Sequence, residues 1–126
     1  MKKPATMKNQ IVWCDIPVKG LDRAVKFYSA VLGARVEKQF FPGLEFSLLP
    51  CVGEIVSGCL VVTDEVSPSS QGVMIYLNCE GRLDAAIAVV EPNGGKILKA
   101  KHQIGPHGFR AVILDSEGNR IALHSK

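Results

Sequence analysis

Ile11-Val12-Trp13-Cys14-Asp15-Ile16-Pro17-Val18, followed by Leu21-Asp22-Arg23-Ala24-Val25-Lys26-Phe27-Tyr28, reads as a short apolar strand running into an amphipathic helix. The phrase returns as Val73-Met74-Ile75-Tyr76-Leu77-Asn78-Cys79, followed by Leu83-Asp84-Ala85-Ala86-Ile87. Leu21 and Leu83 stand 62 residues apart by number, and Gly33 and Gly95 keep that shift. Two copies of one unit in 126 residues predict packing about a pseudo-twofold axis, with a shared cleft between the copies.

Working outward, Leu21, Ala24, Val25, Tyr28, Val31 and Leu32 form an i, i+3, i+4, i+7 stripe, and Gly33 ends that helix. Arg35 to Phe41 and Leu44 to Leu49 read as strands joined at Pro42-Gly43, and Ser57 to Thr63 as a further strand. In the second copy Leu83, Ala86, Ile87 and Val90 carry the helical stripe, which Pro92 and Asn93-Gly94-Gly95 stop. Lys96 to Lys99, Phe109 to Leu114 and Asn119 to Ser125 follow as strands, with His102 to Gly108 as a loop and Asp115 to Gly118 as a hairpin turn. The predicted fold is α+β: two β-α-β-β-β modules, residues 9–63 and 72–126, forming a curled mixed sheet around a central cleft. Residues 1–8 read as a flexible tail and 64–71 as the linker.

Composition narrows the function classes. Hydrophobic content of 47% indicates a globular chain. The net charge of +3 owes much to Lys2, Lys3 and Lys8, and no Lys/Arg cluster with interleaved aromatics marks a nucleic-acid surface. No apolar run is long enough to span a membrane, and the basic start is not followed by the apolar stretch of a signal peptide. A cytoplasmic location is therefore expected. Cys14, Cys51, Cys59 and Cys79 lack C-x-x-C spacing, so neither a zinc site nor a redox pair is signalled, and reduced thiols are expected.

Strand parity points to the site. One face of the strands holds Val12, Cys14 and Ile16, then Val73, Ile75 and Leu77, then Ile121 and Leu123, and should lie under the helices. The opposite face holds Trp13 and Asp15; Met74, Tyr76 and Asn78; and Arg120, Ala122 and His124. Large rings mixed with polar groups suit the lining of a wet, partly apolar cup better than a solvent face. The alternatives are that these residues fill the core between the modules or a dimer interface.

The chain resembles the vicinal oxygen chelate superfamily, which includes glyoxalase I, bleomycin-resistance proteins, fosfomycin-resistance enzymes and extradiol dioxygenases. The resemblance rests on Asp15 to Tyr28 with Val31-Leu32-Gly33, on Gly105-Pro106-His107-Gly108-Phe109, and on Leu114-Asp115-Ser116-Glu117-Gly118-Asn119-Arg120-Ile121-Ala122-Leu123. It implies a divalent metal held by His and Glu on cup-facing strands. The matching positions here hold Trp13, Met74 and Ala122, and the fourth falls within Ser57 to Leu60, where Cys59 alone could coordinate. Trp and Ala donate nothing to a metal, and Met suits soft ions only. Asp15, His102, His107 and His124 are the residues from which a displaced site could be drawn.

Three readings follow. The first is a metal-free, cofactor-free protein that binds a small molecule, aromatic or cationic, through Trp13, Asp15, Phe46, Met74, Tyr76, Asn78, His107, Phe109, Arg120, Ala122 and His124. The second is a metal-dependent lyase or dioxygenase of the glyoxalase type with non-standard ligands. The third is an interaction module with a closed cleft. The missing ligands favour the first. The resemblance also implies a homodimer.

Overall fold

The first copy of the repeated phrase folds into β1 (Trp13–Pro17) and α1 (Leu21–Leu32), followed by β2 (Glu37–Phe41), β3 (Leu44–Leu48) and β4 (Ser57–Val61). The second folds into β5 (Ile75–Asn78), α2 (Leu83–Ala88), β6 (Lys96–Gln103), β7 (Phe109–Leu114) and β8 (Arg120–Ser125). Single 3-10 turns at Glu91–Asn93 and Gly105–His107 flank β6. These are the elements of a computed structural model, which describes residues 10–51 and 57–126. The expected tail at 1–8 lies outside the described residues. The two-module β-α-β-β-β architecture read from the repeat is the one observed.

Each module forms its own four-stranded sheet, in the orders β1-β4-β3-β2 and β5-β8-β7-β6. β1 pairs with β4 and β5 with β8 in parallel, because a helical crossover returns the chain in the same direction. The remaining pairs are antiparallel. Gly58, opposite Cys14, is required by this closeness: a Cβ there would lie 2.3 Å from the Cys14 carbonyl oxygen.

One core serves both modules. Leu21, Ala24, Phe27, Tyr28 and Val31 of α1 are buried, and Gly33 closes the helix at φ 64°. They meet Ile16 and Leu60 of the first sheet, Leu83 and Ala86 of α2, and Ala111, Ile113, Ile121 and Leu123 of the second sheet. Burial of a side chain as large as Phe27 or Tyr28 stabilises the fold by about 1.5–3 kcal/mol.

The polar join between the modules converges on the β7–β8 turn. Asp115 accepts hydrogen bonds from the Tyr28 hydroxyl at 2.6 Å, the Glu117 and Asn119 amides at 2.8 and 2.9 Å, and Asn119 Nδ2 at 3.0 Å. Asn119 Nδ2 also donates to the Pro17 carbonyl at 2.8 Å. Gly20 lacks a side chain to cap α1. Glu117 takes that place from the other module, accepting from the Lys19 and Gly20 amides at 2.8 and 2.7 Å and from Arg23 Nε and Nη2 at 2.7 and 2.9 Å. A carboxylate there satisfies orphan amides and meets the positive end of the helix dipole. The Asp-x-x-Gly-Asn phrase is thus a staple between modules.

Three expectations change. Val12 and Val73 are 74% and 92% exposed rather than under the helices, because the strands begin only at Trp13 and Ile75. β6 continues to Gln103, so His102 stands on a strand, opposite Arg110, and not in a loop. α2 ends at Ala88, two residues short of Val90, ahead of the Pro92 turn.

Candidate functional site

β1 and β5 are the outer strands of their sheets, each paired on one side only. Between their free edges opens a slot of about 1160 Å³. Its walls include Trp13, Met74, Tyr76 and Asn78. Parity alone misses Cys14, Ile16, Ile75 and Leu77, which also line it. The reason is geometric: at a strand's free edge, side chains of both faces border the space beyond it.

Trp13 and Tyr76 are 47% and 46% exposed, so each presents a ring face while staying anchored. Trp13 Nε1 donates to Asp15 Oδ1 at 3.1 Å, which holds the indole plane and uses its N–H. The Cys59 thiol donates to the same oxygen at 3.3 Å. Burial, then the hydrogen bond to Asp15, pushes the Cys59 thiol up to about 11. Burial and the Asp15 charge raise Cys14 too. Both shifts favour the protonated thiol, the less nucleophilic form.

Asp15 and Arg120 border a smaller neighbouring cavity of about 240 Å³. Arg120 Nη2 donates to the Gly72 carbonyl at 3.0 Å, while its Nε is buried with no partner. Asn78 Oδ1 accepts from the Glu80 amide at 2.9 Å. Ala122 is 0% exposed, lodged opposite Tyr76 and Val112 on the helix-free face. His124 Nε2 donates to the His107 carbonyl at 2.7 Å, and its ring stands edge-on to Tyr76, centroids 6.1 Å apart. His107 thus meets this group through its backbone. Phe46 shares the helix-free face of the first sheet but lies on β3, opposite Val61 and Gln39, outside the slot wall. Phe109 does not join: it stands opposite Ser125, packs against the core on the helix side, and has Lys101 Nζ 5.3 Å from its ring centroid. The strand alternation that puts Arg110 on the helix-free face turns Phe109 the other way.

Arg110 is the residue sequence reasoning passed over. It shares the parity of Val112 and Leu114 on β7, and that parity was the available signal. Arg110 Nη1 donates to the Tyr76 hydroxyl and Nε donates to His102 Nε2 at 3.0 Å.

Residues 10–123 match the glyoxalase/bleomycin resistance protein/dioxygenase superfamily. The chain belongs to that superfamily. A glyoxylase-like domain-containing protein of Didymella fabae is 30% identical over 122 residues, which cover 93% of this chain and 94% of that protein. A glyoxalase/bleomycin resistance protein from Albidiferax ferrireducens shares the fold at 19% identity, with a TM-score of 0.70 over 94% of this chain and 100% of that one. A fosfomycin resistance protein from Listeria monocytogenes shares it at 13% identity, with a TM-score of 0.67 over 96% of this chain and 93% of that one.

The divalent metal that resemblance to this superfamily implies does not suit the residues present. Trp13, Met74 and Ala122 occupy the matched positions, and the methyl of Ala122 is packed over. The Cys59 thiol is held protonated. Among the described residues no three His, Cys, Asp or Glu side chains are grouped to hold a metal ion. No described helix is long and apolar enough to cross a membrane.

Proposed function

We propose that this superfamily member binds a small organic molecule in the slot between β1 and β5 and does so without a divalent metal. The observation that carries the reading is the slot itself: about 1160 Å³, with the Trp13 and Tyr76 rings half exposed on its walls. That volume is of the order of known ligand clefts, roughly 300–1,000 Å³. Two aromatic faces with few fixed polar groups suit an aromatic or otherwise flat ligand. The donor chemistry at the matched positions supports binding over metal-assisted lyase or dioxygenase chemistry, which needs a Lewis acid.

The chain's only tryptophan reports on the slot. A library of metabolites and antibiotics is screened by Trp13 emission. A cognate ligand shifts it saturably, and Trp13→Ala weakens binding by about 1–3 kcal/mol, the scale of one large contact. Because Trp13 is already half exposed, the same change costs the fold about 1 kcal/mol, well below the 3–5 kcal/mol of a buried Trp. No saturable hit, together with a large stability loss, would sink the proposal. Metal analysis after gel filtration tests the other half: one metal per chain, lost on changing Asp15 or His124 to alanine, would restore the enzyme reading.

We infer a homodimer as well. Phe41, Leu44 and Leu48 lie exposed on one face of the β2–β3 hairpin, an apolar surface that a second copy would cover. Light scattering that stays at 13.6 kDa at micromolar concentration would exclude it. A cytoplasmic location is proposed with it.

A further inference from the structure

Arg110 is built in an unusual way for a surface arginine. Two of its five N–H groups are spent on His102 Nε2 and the Tyr76 hydroxyl, which leaves three. Both partners are uncharged. His102 Nδ1 lies 2.8 Å from the Ala100 carbonyl, an oxygen that can only accept. Nδ1 therefore carries the proton, and Nε2 accepts from Arg110 as a neutral imidazole. The guanidinium also lies 5.9 Å from the Tyr76 ring centroid, a cation–π distance. Among the described residues, no carboxylate stands within ion-pair distance of Arg110.

This arrangement fixes the guanidinium plane without neutralising its charge. Arg23, by contrast, meets the Glu117 carboxylate, which neutralises its charge. Here three strands contribute: β6 brings His102, β5 brings Tyr76 and β7 brings Arg110. The group sits on the helix-free face of the second sheet. Tyr76 belongs both to it and to the slot wall, so its hydroxyl links the guanidinium to the slot edge, with Arg110 standing behind Tyr76 and not on the slot lining itself.

We propose that Arg110, braced by His102 and Tyr76, is an anion subsite on the helix-free face beside the slot, behind Tyr76, taking two oxygens of a carboxylate, phosphate or phosphonate on the ligand. This deepens the binding reading given above and rests on it for the rest of the ligand. A fork of uncommitted N–H donors matches such oxygens two at a time, and pre-fixing its plane lowers the ordering cost of binding. The slot then selects a molecule with a flat apolar body and one anionic end.

The test titrates the full chain with phenylacetate, phenylphosphonate and neutral phenylacetamide at matched ionic strength. Trp13 emission and the NMR signal of the Arg110 Nε–H are followed together. The two anions are expected to bind at least about tenfold more tightly than the amide, the low end for a hydrogen bond to a charged group. The ratio between them distinguishes carboxylate from phosphonate oxygens. Arg110→Gln should abolish the preference and leave phenylacetamide unchanged. Tyr76→Phe keeps the charge but removes one brace, and should reduce the preference several-fold while the chain stays folded.

Equal binding of all three probes to the unaltered chain overturns the subsite and leaves the slot reading standing. Anion binding that depends on Arg110 but neither moves Trp13 emission nor responds to Trp13→Ala keeps the subsite and overturns the slot reading. Absence of any saturable signal overturns both.

Discussion

Replacing Glu117 by glutamine should loosen the whole molecule, and by an amount that depends on pH. Burial by itself would raise this carboxyl. Hydrogen bonds from Arg23, the Gly20 and Lys19 amides and Ser116 outweigh it and bring the group to about 2. Against an ordinary value of 4.5, such a depression corresponds to at most about 3 kcal/mol favouring the folded, ionised state, and solvent screening at the exposed Arg23 reduces it. The folded value lies below the unfolded one, so this stability is fully present above about pH 4.5. It is lost as pH falls from there towards 2. Glutamine still offers an oxygen to the Lys19 and Gly20 amides but loses the charge facing Arg23 and the helix end. Urea unfolding at pH 7 should therefore show Glu117→Gln less stable by about 2–3 kcal/mol. At pH 3 the gap should fall to about two-fifths of that. A gap that is small at pH 7, or that does not narrow with acid, would refute the claim that the staple acts as an ionised cap.

Two further outcomes follow from the geometry. Gly58→Ala should cost about 2–4 kcal/mol in thermal unfolding, since a Cβ placed 2.3 Å from the Cys14 oxygen must push β4 from β1; a loss under about 0.5 kcal/mol would mean the strands separate freely. Alkylation at pH 7.5, read by peptide mass spectrometry, should modify exposed Cys51 before the other cysteines. Cys59 should be slowest to gain reactivity as pH rises, because burial and its bond to Asp15 hold it at about 11; early modification of Cys59 would contradict that environment.

The Leu-Asp phrase made the architecture legible because it marks, twice, the point where a strand ends and an amphipathic helix begins. Alternation along β5 and β8 was legible too, and it places Tyr76, Ala122 and His124 on one face. What alternation cannot convey is which strands lie at a sheet edge. The slot runs between two edges, and Cys14, Ile16, Ile75 and Leu77 line it for that reason. Phe109 misled because an aromatic next to a Gly-rich loop looks available, whereas its strand position turns it to the helices. The sequence from His102 reads as loop because Pro106 and two glycines, Gly105 and Gly108, follow, whereas β6 runs on to Gln103 through register irregularities between Ile97 and His102. Without His102 on a strand, only the β7 parity shared with Val112 and Leu114 marks Arg110. Likewise Asp115, Glu117 and Asn119 read as turn residues, and their reach into the other module is visible only once Tyr28, Arg23 and Pro17 lie beside them.

The two free strand edges that face each other across the slot also bear on edge-to-edge pairing with foreign strands. An open edge invites a foreign strand to continue the sheet. Lys96, Lys99 and Lys101 put charge along β6, and Glu37 and Lys38 put it at the start of β2. β1 and β5 carry the apolar sequences Trp13-Cys14-Asp15-Ile16-Pro17 and Ile75-Tyr76-Leu77-Asn78, with a single charge between them. Each is screened by the presence of the other, held at a distance by α1, α2 and the Glu117 turn. Across that spacing the two strands do not pair with each other. The gap proposed to receive a ligand is thus also where the two edges with the least charge face each other, and a substitution that spread the modules apart would unmask both at once.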